Sequence, residues 1–447
     1  MKIPSRFTAN MKALIGPEYE ALEAALHETP PTSLRMNVRK GATPPEGEPV
    51  PWHPAGYYLP KRMAFTFHPP FHAGAYYVQE AASMFVGRAV EALVEGPVRC
   101  LDLCAAPGGK STLLSDCLPE GSLLVCNEAI RNRVGVLAEN IVKWGNPGAI
   151  VCNNDPADLG RLEHFFDIIV ADMPCSGEGM FRKDPRSVDL WSPDAVRLCA
   201  SRQRRIVADV WNALRPGGLF IYSTCTFNSE ENEENVRFIA GMGAEALPVP
   251  LEASWGVAGN LRYDFPVYRF FPHRTKGEGF FMAVLRKLGL ESPRRINVKR
   301  EKRKASAPPD VTARLINPES FELEVRDNIV KAVRHINAAD FAFLANHLRV
   351  YSAGLCVGEV KGKTVIPLHP LAMSVHLNRE AFPNVEVDND TAISYLRKDS
   401  IKLECQAGYA LLTCDGLALG FGKQLGDRFN NLYPSEWRIR MERASGR

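Results

Sequence analysis

Short apolar runs alternate with helix-period segments through the centre of the chain, over residues 76–288. Apolar runs of this length are typical of strands buried on both faces of a parallel sheet. The alternation therefore predicts an α/β fold, a Rossmann-like doubly wound sheet. Its strands are predicted at 98–104, 122–128, 149–155, 165–170, 219–224 and 279–285. One helix is predicted at 193–214, and another begins at Ser229 with Glu230, Glu231, Glu233 and Glu234 in its first turns.

The flanking regions have different patterns. Residues 1–75 are rich in proline and aromatic residues, and a helix at 17–27 followed by a strand at 33–39 predicts a small N-terminal accessory domain, which we expect to bind RNA. Residues 311–350 form a small middle segment that is mostly helical from 329 to 348, and 351–447 is strand and turn, with a hairpin signal at Asp415-Gly416. Basic and aromatic residues near the end suit single-stranded RNA, and an ordinary β-domain core explains them equally well.

Charge is concentrated between the central and C-terminal regions, in a predicted linker at 289–310. The whole chain carries +3 (54 basic against 51 acidic residues), whereas residues 291–304 alone carry +5, from seven basic residues against two acids. This excess fits a nucleic-acid partner, although a solvated linker has about even odds. The seven basic residues are Arg294, Arg295, Lys299, Arg300, Lys302, Arg303 and Lys304.

Length and composition limit the class of protein. A chain of 447 residues predicts about two or three domains, and no run of about 18 apolar residues is available to span a membrane. The first residues lack an apolar signal core, which predicts a cytoplasmic protein. Eleven cysteines without a Cys-x-x-Cys pair argue against a zinc site or a disulfide framework, so we expect no metal. We expect a monomer.

A glycine-containing turn follows the first predicted strand of the central domain. Cys104, Ala105, Ala106, Pro107, Gly108, Gly109 and Lys110 lead into a helix, where small residues allow close approach of a ligand and the helix start offers free N–H groups. The turn matches neither the dinucleotide pattern Gly-x-Gly-x-x-Gly nor the phosphate-binding loop. These mismatches disfavour a nicotinamide cofactor or a nucleoside triphosphate. A smaller cofactor with ribose, adenine and an amino-acid end fits better.

Acidic residues end three successive predicted strands. Glu128 lies 18 residues beyond Lys110, where a carboxylate can bind ribose hydroxyls, and Asp155 is placed to meet the adenine amino group. Asp172 ends the next strand. Acids at such positions also cap the following helix. Capping alone is the less favoured interpretation, because three successive strands end in an acid.

Two cysteines follow predicted strand ends in polar turns, Cys175 in Asp172-Met-Pro-Cys-Ser-Gly177 and Cys225 in Ser223-Thr-Cys-Thr226. A thiolate that adds to C6 of cytosine makes C5 nucleophilic enough to accept a methyl group, after which the C5 proton and the thiol must leave. This reaction needs a thiolate, an acid near N3 and the exocyclic amine, and a group that assists elimination. Cys225, Asp172 and Cys175 can supply these roles.

The motifs at 77–84, 101–110, 172–177 and 223–226 resemble the RNA cytosine-C5 methyltransferases that use S-adenosylmethionine, the Nop/Sun-like family with its bacterial rRNA enzymes. The resemblance implies cofactor contacts from Cys104 to Lys110 and at Glu128, Asp155 and Asp172. It implies Cys225 as the nucleophile and Cys175 as the product-release residue. Residues 408–440 resemble the PUA-like RNA-binding end of the small-subunit rRNA methyltransferase F group, which implies 16S rRNA as substrate. Transfer to tRNA, and an inactive cofactor-binding RNA scaffold, are the alternatives.

Overall fold

The computed structural model describes residues 2–290 and 309–441, which form four β-sheets with helices packed on and between them. The seven basic residues of the predicted linker lie outside the described residues. The three predicted parts of the fold, a Rossmann-like domain with smaller N-terminal and C-terminal domains, are all present. The exact boundaries proposed from the sequence remain predictions.

The N-terminal region consists of two helices followed by a small antiparallel sheet. Its elements are α1 (Ser5–Ile15), α2 (Tyr19–His27), β1 (Thr32–Met36), β2 (Glu48–Pro49), β3 (Gly56–Leu59), α3 (Pro69–His72) and β4 (Tyr76–Tyr77), with strand order β2-β3-β1-β4. Arg35 of β1 is fully buried and donates hydrogen bonds to Gln79 Oε1 (2.9 Å) and Thr112 Oγ1 (2.7 Å). It also pairs with Asp116. This guanidinium therefore joins the N-terminal sheet to the central domain. Separating the two would be costly, because it would leave a buried charge without a partner.

The central region is the predicted doubly wound sheet. Its elements are α4 (Phe85–Leu93), β5 (Arg99–Asp102), α5 (Gly109–Cys117), β6 (Leu123–Asn127), α6 (Arg131–Trp144), β7 (Ala149–Cys152), α7 (Pro156–Gly160), β8 (Phe166–Asp172), α8 (Pro185–Leu190), α9 (Pro193–Val210), β9 (Leu214–Thr224), α10 (Glu233–Gly241), β10 (Ala244–Leu247), β11 (Tyr268–Phe270) and β12 (Phe280–Lys287). The order is β10-β12-β9-β8-β5-β6-β7, with β11 paired to β12. The strands from β9 to β7 are parallel, whereas β10 and β12 are antiparallel. Buried apolar side chains cover both faces of this sheet.

The C-terminal region contributes two further sheets and one strand to the central sheet. Its elements are α11 (Pro309–Thr312), β13 (Phe321–Arg326), β14 (Ile329–Arg334), α12 (Ala338–His347), β15 (Val350–Ala353), β16 (Leu355–Lys361), β17 (Thr364–Pro367), α13 (His369–Met373), β18 (Asn384–Glu386), α14 (Asn389–Arg397), β19 (Gly408–Cys414), β20 (Leu417–Leu425) and β21 (Arg428–Asn431). The sheets are β13-β14-β16-β17 and β18-β19-β20-β21. Strand β15 pairs antiparallel with β7, so the proposed boundary between residues 350 and 351 falls inside a strand.

Three sequence predictions of secondary structure are wrong in part. The helix predicted at 193–214 ends at Val210, and β9 already begins at Leu214, because the residues before Pro216 favour an extended backbone. The segment 329–334 is a strand, as its β-branched residues Ile329, Val330 and Val333 permit. The helix expected from Ser229 begins at Glu233. The hairpin is confirmed, with positive φ at Asp415 (52°) and Gly416 (71°) between β19 and β20.

Candidate active site

Two cysteines lie side by side at the carboxyl edge of the central sheet. Cys175 follows β8 and Cys225 follows β9, and these parallel neighbours place Asp172 opposite Ser223. The two Sγ atoms are 3.1 Å apart, and both thiols are free and half-buried. The structure therefore brings together two thiols that are 50 residues apart in sequence.

The surroundings of Cys175 favour the protonated form of its thiol. A hydrogen bond with Cys225, reinforced by burial, raises the pKa of the Cys175 thiol well above its ordinary value. Cys175 therefore keeps its proton at neutral pH. Either sulfur can be the donor of the shared hydrogen bond.

Lys110 brings a positive charge to the thiols. Its Nζ lies 2.8 Å from Asp172 Oδ2, and Ser223 Oγ donates to Asp172 Oδ1 at 2.9 Å. Burial lowers the pKa of Lys110, but the carboxylate of Asp172 outweighs it, and the negative charges of Asp102 and Cys225 act in the same direction, so the net shift is upward. Asp172 is thus held at both oxygens, and a cation that stays charged lies near the Cys225 sulfur.

The predicted cofactor turn borders a cavity of about 190 Å³. Gly108, the residue before α5, has a φ of 118°, which favours glycine. The other six residues of the turn line the cavity together with Asp172; they are Cys104, Ala105, Ala106, Pro107, Gly109 and Lys110. Burial raises the pKa of the Cys104 thiol, so this cysteine acts as a small wall residue.

The acids at the ends of β6 and β7 have different surroundings. Glu128 is 4% exposed and its Oε1 accepts from Ile130 N at 2.9 Å. Its Oε2 lies 3.3 Å from Arg133 Nη1 but has no hydrogen-bond partner among the described residues, which leaves an acceptor for a ligand. Asp155 is exposed and caps α7, accepting from Ala157 N at 3.1 Å. Its contact with adenine stays a prediction.

Sequence reasoning missed several side chains at the same cavity. Tyr77, Gln79, Glu80 and Ser83 also line it, although they belong to the motif at 77–84 that carries the family resemblance. Glu80 is half-buried, its partial burial raises its pKa, and its Oε2 accepts from Ser83 N at 2.9 Å. Because these residues come from the segment before α4, the cavity has a wall outside the β5–α5 turn.

Asp102 at the end of β5 was also missed. It is fully buried, and burial raises its pKa to about 7. Ser111 Oγ donates to its Oδ2 at 2.6 Å, whereas its Oδ1 has no hydrogen-bond partner among the described residues. A buried acceptor without a donor next to the cofactor turn is a second group suited to a ligand.

The described part of the chain contains no cluster of three or more histidine, cysteine, aspartate or glutamate side chains arranged to hold a metal ion. Among residues 2–290 and 309–441, no helix is both long and apolar enough to cross a membrane.

The fold and the turn at the end of β5 define the chain as a Rossmann-like methyltransferase. Three family descriptions match it: 16S rRNA methyltransferase RsmB/F at residues 93–286, the N-terminal domain of 16S rRNA methyltransferase RsmF at 3–81, and the methyltransferase RsmF PUA domain at 382–439. Region by region the chain is therefore similar to the RsmB/F and RsmF 16S rRNA methyltransferases, and the family resemblance found in the sequence is confirmed.

Relatives in several bacteria carry the name ribosomal RNA small subunit methyltransferase F. The chain is 36% identical to the one from Cronobacter sakazakii over 55% of its own length and 52% of the relative, so that match spans about half of the relative. It is 27% identical to one from Aliivibrio fischeri over 97% of both chains. A methyltransferase homologue from Pyrococcus horikoshii has a similar structure (TM-score 0.55, 25% identity, 64% of this chain and 95% of that one). So does NSun6 from the same organism, solved with SFG (TM-score 0.54, 21% identity, 64% and 98%).

Proposed function

We propose that the protein transfers a methyl group from S-adenosylmethionine to C5 of cytosine in 16S ribosomal RNA. The observation that carries the proposal is the pair of thiols 3.1 Å apart beside the Lys110–Asp172 ion pair. One thiol keeps its proton while the other lies near a cation, which is the asymmetry that covalent attack on a pyrimidine requires.

The residues around the turn fit S-adenosylmethionine. The Oε2 of Glu128, which has no hydrogen-bond partner among the described residues, suits a ribose hydroxyl, and the glycine turn allows a ligand to approach the start of α5. Asp102 Oδ1 and Asp172 offer acceptors for the amino-acid end. When bound, the cofactor supplies an electrophilic methyl group. The solved relative with SFG, an analogue of this cofactor, supports the choice.

Cys225 is the proposed nucleophile. Its sulfur, as thiolate, would form a bond to C6 of a cytosine that has swung out of its stack. The electron pair released to C5 would then take the methyl group, whose former bonding pair stays on the sulfur of the cofactor. Lys110 stabilises the thiolate before attack. Asp172, which accepts a hydrogen bond from Ser223 two residues before Cys225, is the proposed partner of the exocyclic amine of the cytosine.

Cys175 is the proposed product-release residue. Its pKa is raised chiefly by the hydrogen bond with Cys225, and that cause disappears when the Cys225 sulfur is bonded to C6. Cys175, which is only half-buried, then loses its proton to solvent more readily and can act as a base. It accepts the proton from C5 as the bond between C6 and sulfur breaks, which restores the pyrimidine and releases Cys225.

One experiment tests both the methyltransferase activity and the RNA that is its substrate. Purified protein, labelled S-adenosylmethionine and either ribosomal subunits, free 16S rRNA or tRNA should give label in 16S rRNA as 5-methylcytosine. Label in tRNA alone would favour the tRNA alternative, and cofactor binding without transfer to any RNA would favour the inactive scaffold. Monomeric state and cytoplasmic location stay predictions.

Glu128→Ala should weaken S-adenosylmethionine binding by about 1–3 kcal/mol, the scale of a lost hydrogen bond to a charged group, and leave RNA affinity unchanged. Titration calorimetry measures the cofactor affinity. For Asp155 the matched change is Asp155→Ser, because serine still caps α7 but is shorter. A weaker cofactor affinity in Asp155→Ser would support the adenine contact, and an unchanged affinity would leave Asp155 as a helix cap.

A second cavity, of about 520 Å³, lies beside the carboxyl end of β7 and provides a candidate RNA contact. Arg131, Arg349 and Tyr351 line it, and neither arginine side chain has a hydrogen bond or ion pair with another described residue. Tyr351 is 59% exposed. Unpaired guanidinium groups beside an exposed aromatic ring suit the phosphates and bases of single-stranded RNA.

Arg131→Ala and Arg349→Ala should each weaken RNA binding and make its salt dependence shallower, by roughly 0.7 in the logarithmic slope for each phosphate that is no longer neutralised. Filter binding over a salt series measures both. Arg161→Ala is the control, because Arg161 pairs with Asp158 and precedes the amino end of β8, whereas the cavity lies at the carboxyl end of β7. Cofactor affinity should stay unchanged in all three variants. A loss of cofactor affinity instead would assign this cavity to the cofactor.

A further inference from the structure

A buried carboxylate from the Cys175 loop holds the backbone of the Cys225 loop. Glu178 is 1% exposed and lies three residues after Cys175. Its Oε2 accepts from Phe227 N, Asn228 N and Thr226 Oγ1, all at 2.8 Å, and its Oε1 accepts from Trp191 Nε1 at 3.0 Å. The segment immediately after Cys225 is therefore fixed by an acid that belongs to the other thiol's loop.

The reverse arrangement is also present. Glu231 is fully buried and lies six residues after Cys225. Its Oε2 accepts from Ser176 N at 3.0 Å and from Gln203 Nε2 at 2.8 Å, and Gln203 Nε2 also donates to Pro174 O at 3.0 Å. The residues on both sides of Cys175 are thus held by an acid from the Cys225 loop and by the glutamine bonded to it.

Direct contacts join the two loops between these acids. Ser176 Oγ and Thr226 Oγ1 are 2.9 Å apart, and Gly179 N donates to Cys225 O at 2.9 Å. A Cβ on Gly179 would lie 2.8 Å from that carbonyl oxygen, so the loops approach closely. Burying two carboxylates is unfavourable without such donors, and both acids lie beside the thiols rather than in the core of the sheet.

We propose that Glu178 and Glu231 are positioning residues that act on opposite thiols: Glu178 sets the place of Cys225, and Glu231 sets the place of Cys175. The inference rests on the proposed function, in which the two thiols have separate steps. Loss of Glu178 support therefore slows attack on C6. Loss of Glu231 support displaces the residue that accepts the C5 proton, so the bond between Cys225 and C6 forms but is released slowly.

The test uses Glu178→Gln and Glu231→Gln in the full-length protein. Glutamine keeps the volume of glutamate but replaces one of its two acceptor oxygens by an NH₂ group, and because donors face both oxygens of each glutamate, one set of donors loses its acceptor. Single-turnover reactions with labelled S-adenosylmethionine and RNA, quenched into denaturant, give the rates of adduct formation and of product release. We expect Glu178→Gln to slow adduct formation about tenfold or more without accumulation, and Glu231→Gln to slow release by a similar factor with adduct accumulating.

Glu230→Gln is the matched control, because Glu230 is exposed in the same turn as Glu231, and it should leave both rates unchanged. Circular dichroism and cofactor affinity check the fold of each variant. Where a glutamine variant does not fold, Thr226→Val removes one donor to Glu178, and Gln203→Met removes the support of Pro174 O; the same split in rates is expected.

Equal slowing of both steps in both variants would overturn the inference, because a merely structural role would not separate them. Unchanged rates in folded variants would overturn it as well. Failure of the proposed function has a different result: the unmodified protein would then give no methylated cytosine and no adduct under any condition.

Discussion

Cys175→Ala should accumulate a covalent complex with RNA, whereas Cys225→Ala should form none. In Cys175→Ala the Cys225 thiolate still attacks C6 beside Lys110, but the group that accepts the C5 proton is gone. The protein should stall on a methylated cytosine. In Cys225→Ala no bond to C6 can form, so both the adduct and methyl transfer should be lost.

A denaturing gel after incubation with substrate RNA and labelled S-adenosylmethionine measures this difference, with a slow band that carries label for Cys175→Ala alone. The double variant Cys175→Ala with Cys225→Ala is the control, and it should give no band. Cys199→Ala is a second control, since Cys199 lies in α9 and no role is assigned to it. A slow band with Cys225→Ala instead would make Cys175 the nucleophile and reverse the assignment.

The parts of the site that the sequence predicted are those set by strand ends. Parallel strands bring their carboxyl ends to one edge of a sheet, so a thiol after β8 and a thiol after β9 had to be neighbours once both strands were recognised. The glycine turn after β5 followed from the same rule. The strand cores were predictable because apolar runs of this length have few alternatives in a doubly wound sheet.

The parts that the sequence did not reveal depend on contacts between distant segments. Glutamates near a helix start interact favourably with the helix dipole, and the sequence predicts this structural role for Glu231. The structure buries it against Ser176 and Gln203 instead. Likewise, a lysine at the start of a helix gives no sign of its partner, and the pairing of Lys110 with Asp172 required the three-dimensional arrangement.

The attachment of the C-terminal region was also hidden. Strand β15 has four residues, too short for a firm prediction, and it pairs with β7 almost 200 residues earlier. Phe341, Leu344 and Leu348 of the preceding segment pack into the apolar core under the central sheet. A truncation after the linker would therefore expose the edge of β7 and part of this core, so point substitutions are the better test of RNA binding.

Arg269→Met should destabilise the methyltransferase domain by about 3–5 kcal/mol, the cost of breaking a buried ion pair by removing one partner. Arg269 is 2% exposed and Glu233 is fully buried. Arg269 Nε donates to Glu233 Oε1 at 2.7 Å, and Nη1 donates to Phe227 O at 2.7 Å, two residues after Cys225. Methionine fills much of the space but leaves both acceptors without a donor. Urea unfolding followed by tryptophan fluorescence measures the loss.

Arg274→Met provides the matched control five residues further on. Its guanidinium makes an equally short ion pair with Glu18, and the hydrogen bonds from Arg274 and His273 lower the pKa of Glu18 to about 2. The Arg274 and Glu18 side chains are 40% and 42% exposed, so solvent screens the pair and we expect a cost of about 1 kcal/mol or less. Equal losses in the two variants would contradict the argument from burial. A normal stability in Arg269→Met would show that the ion pair is dispensable for holding the Cys225 loop.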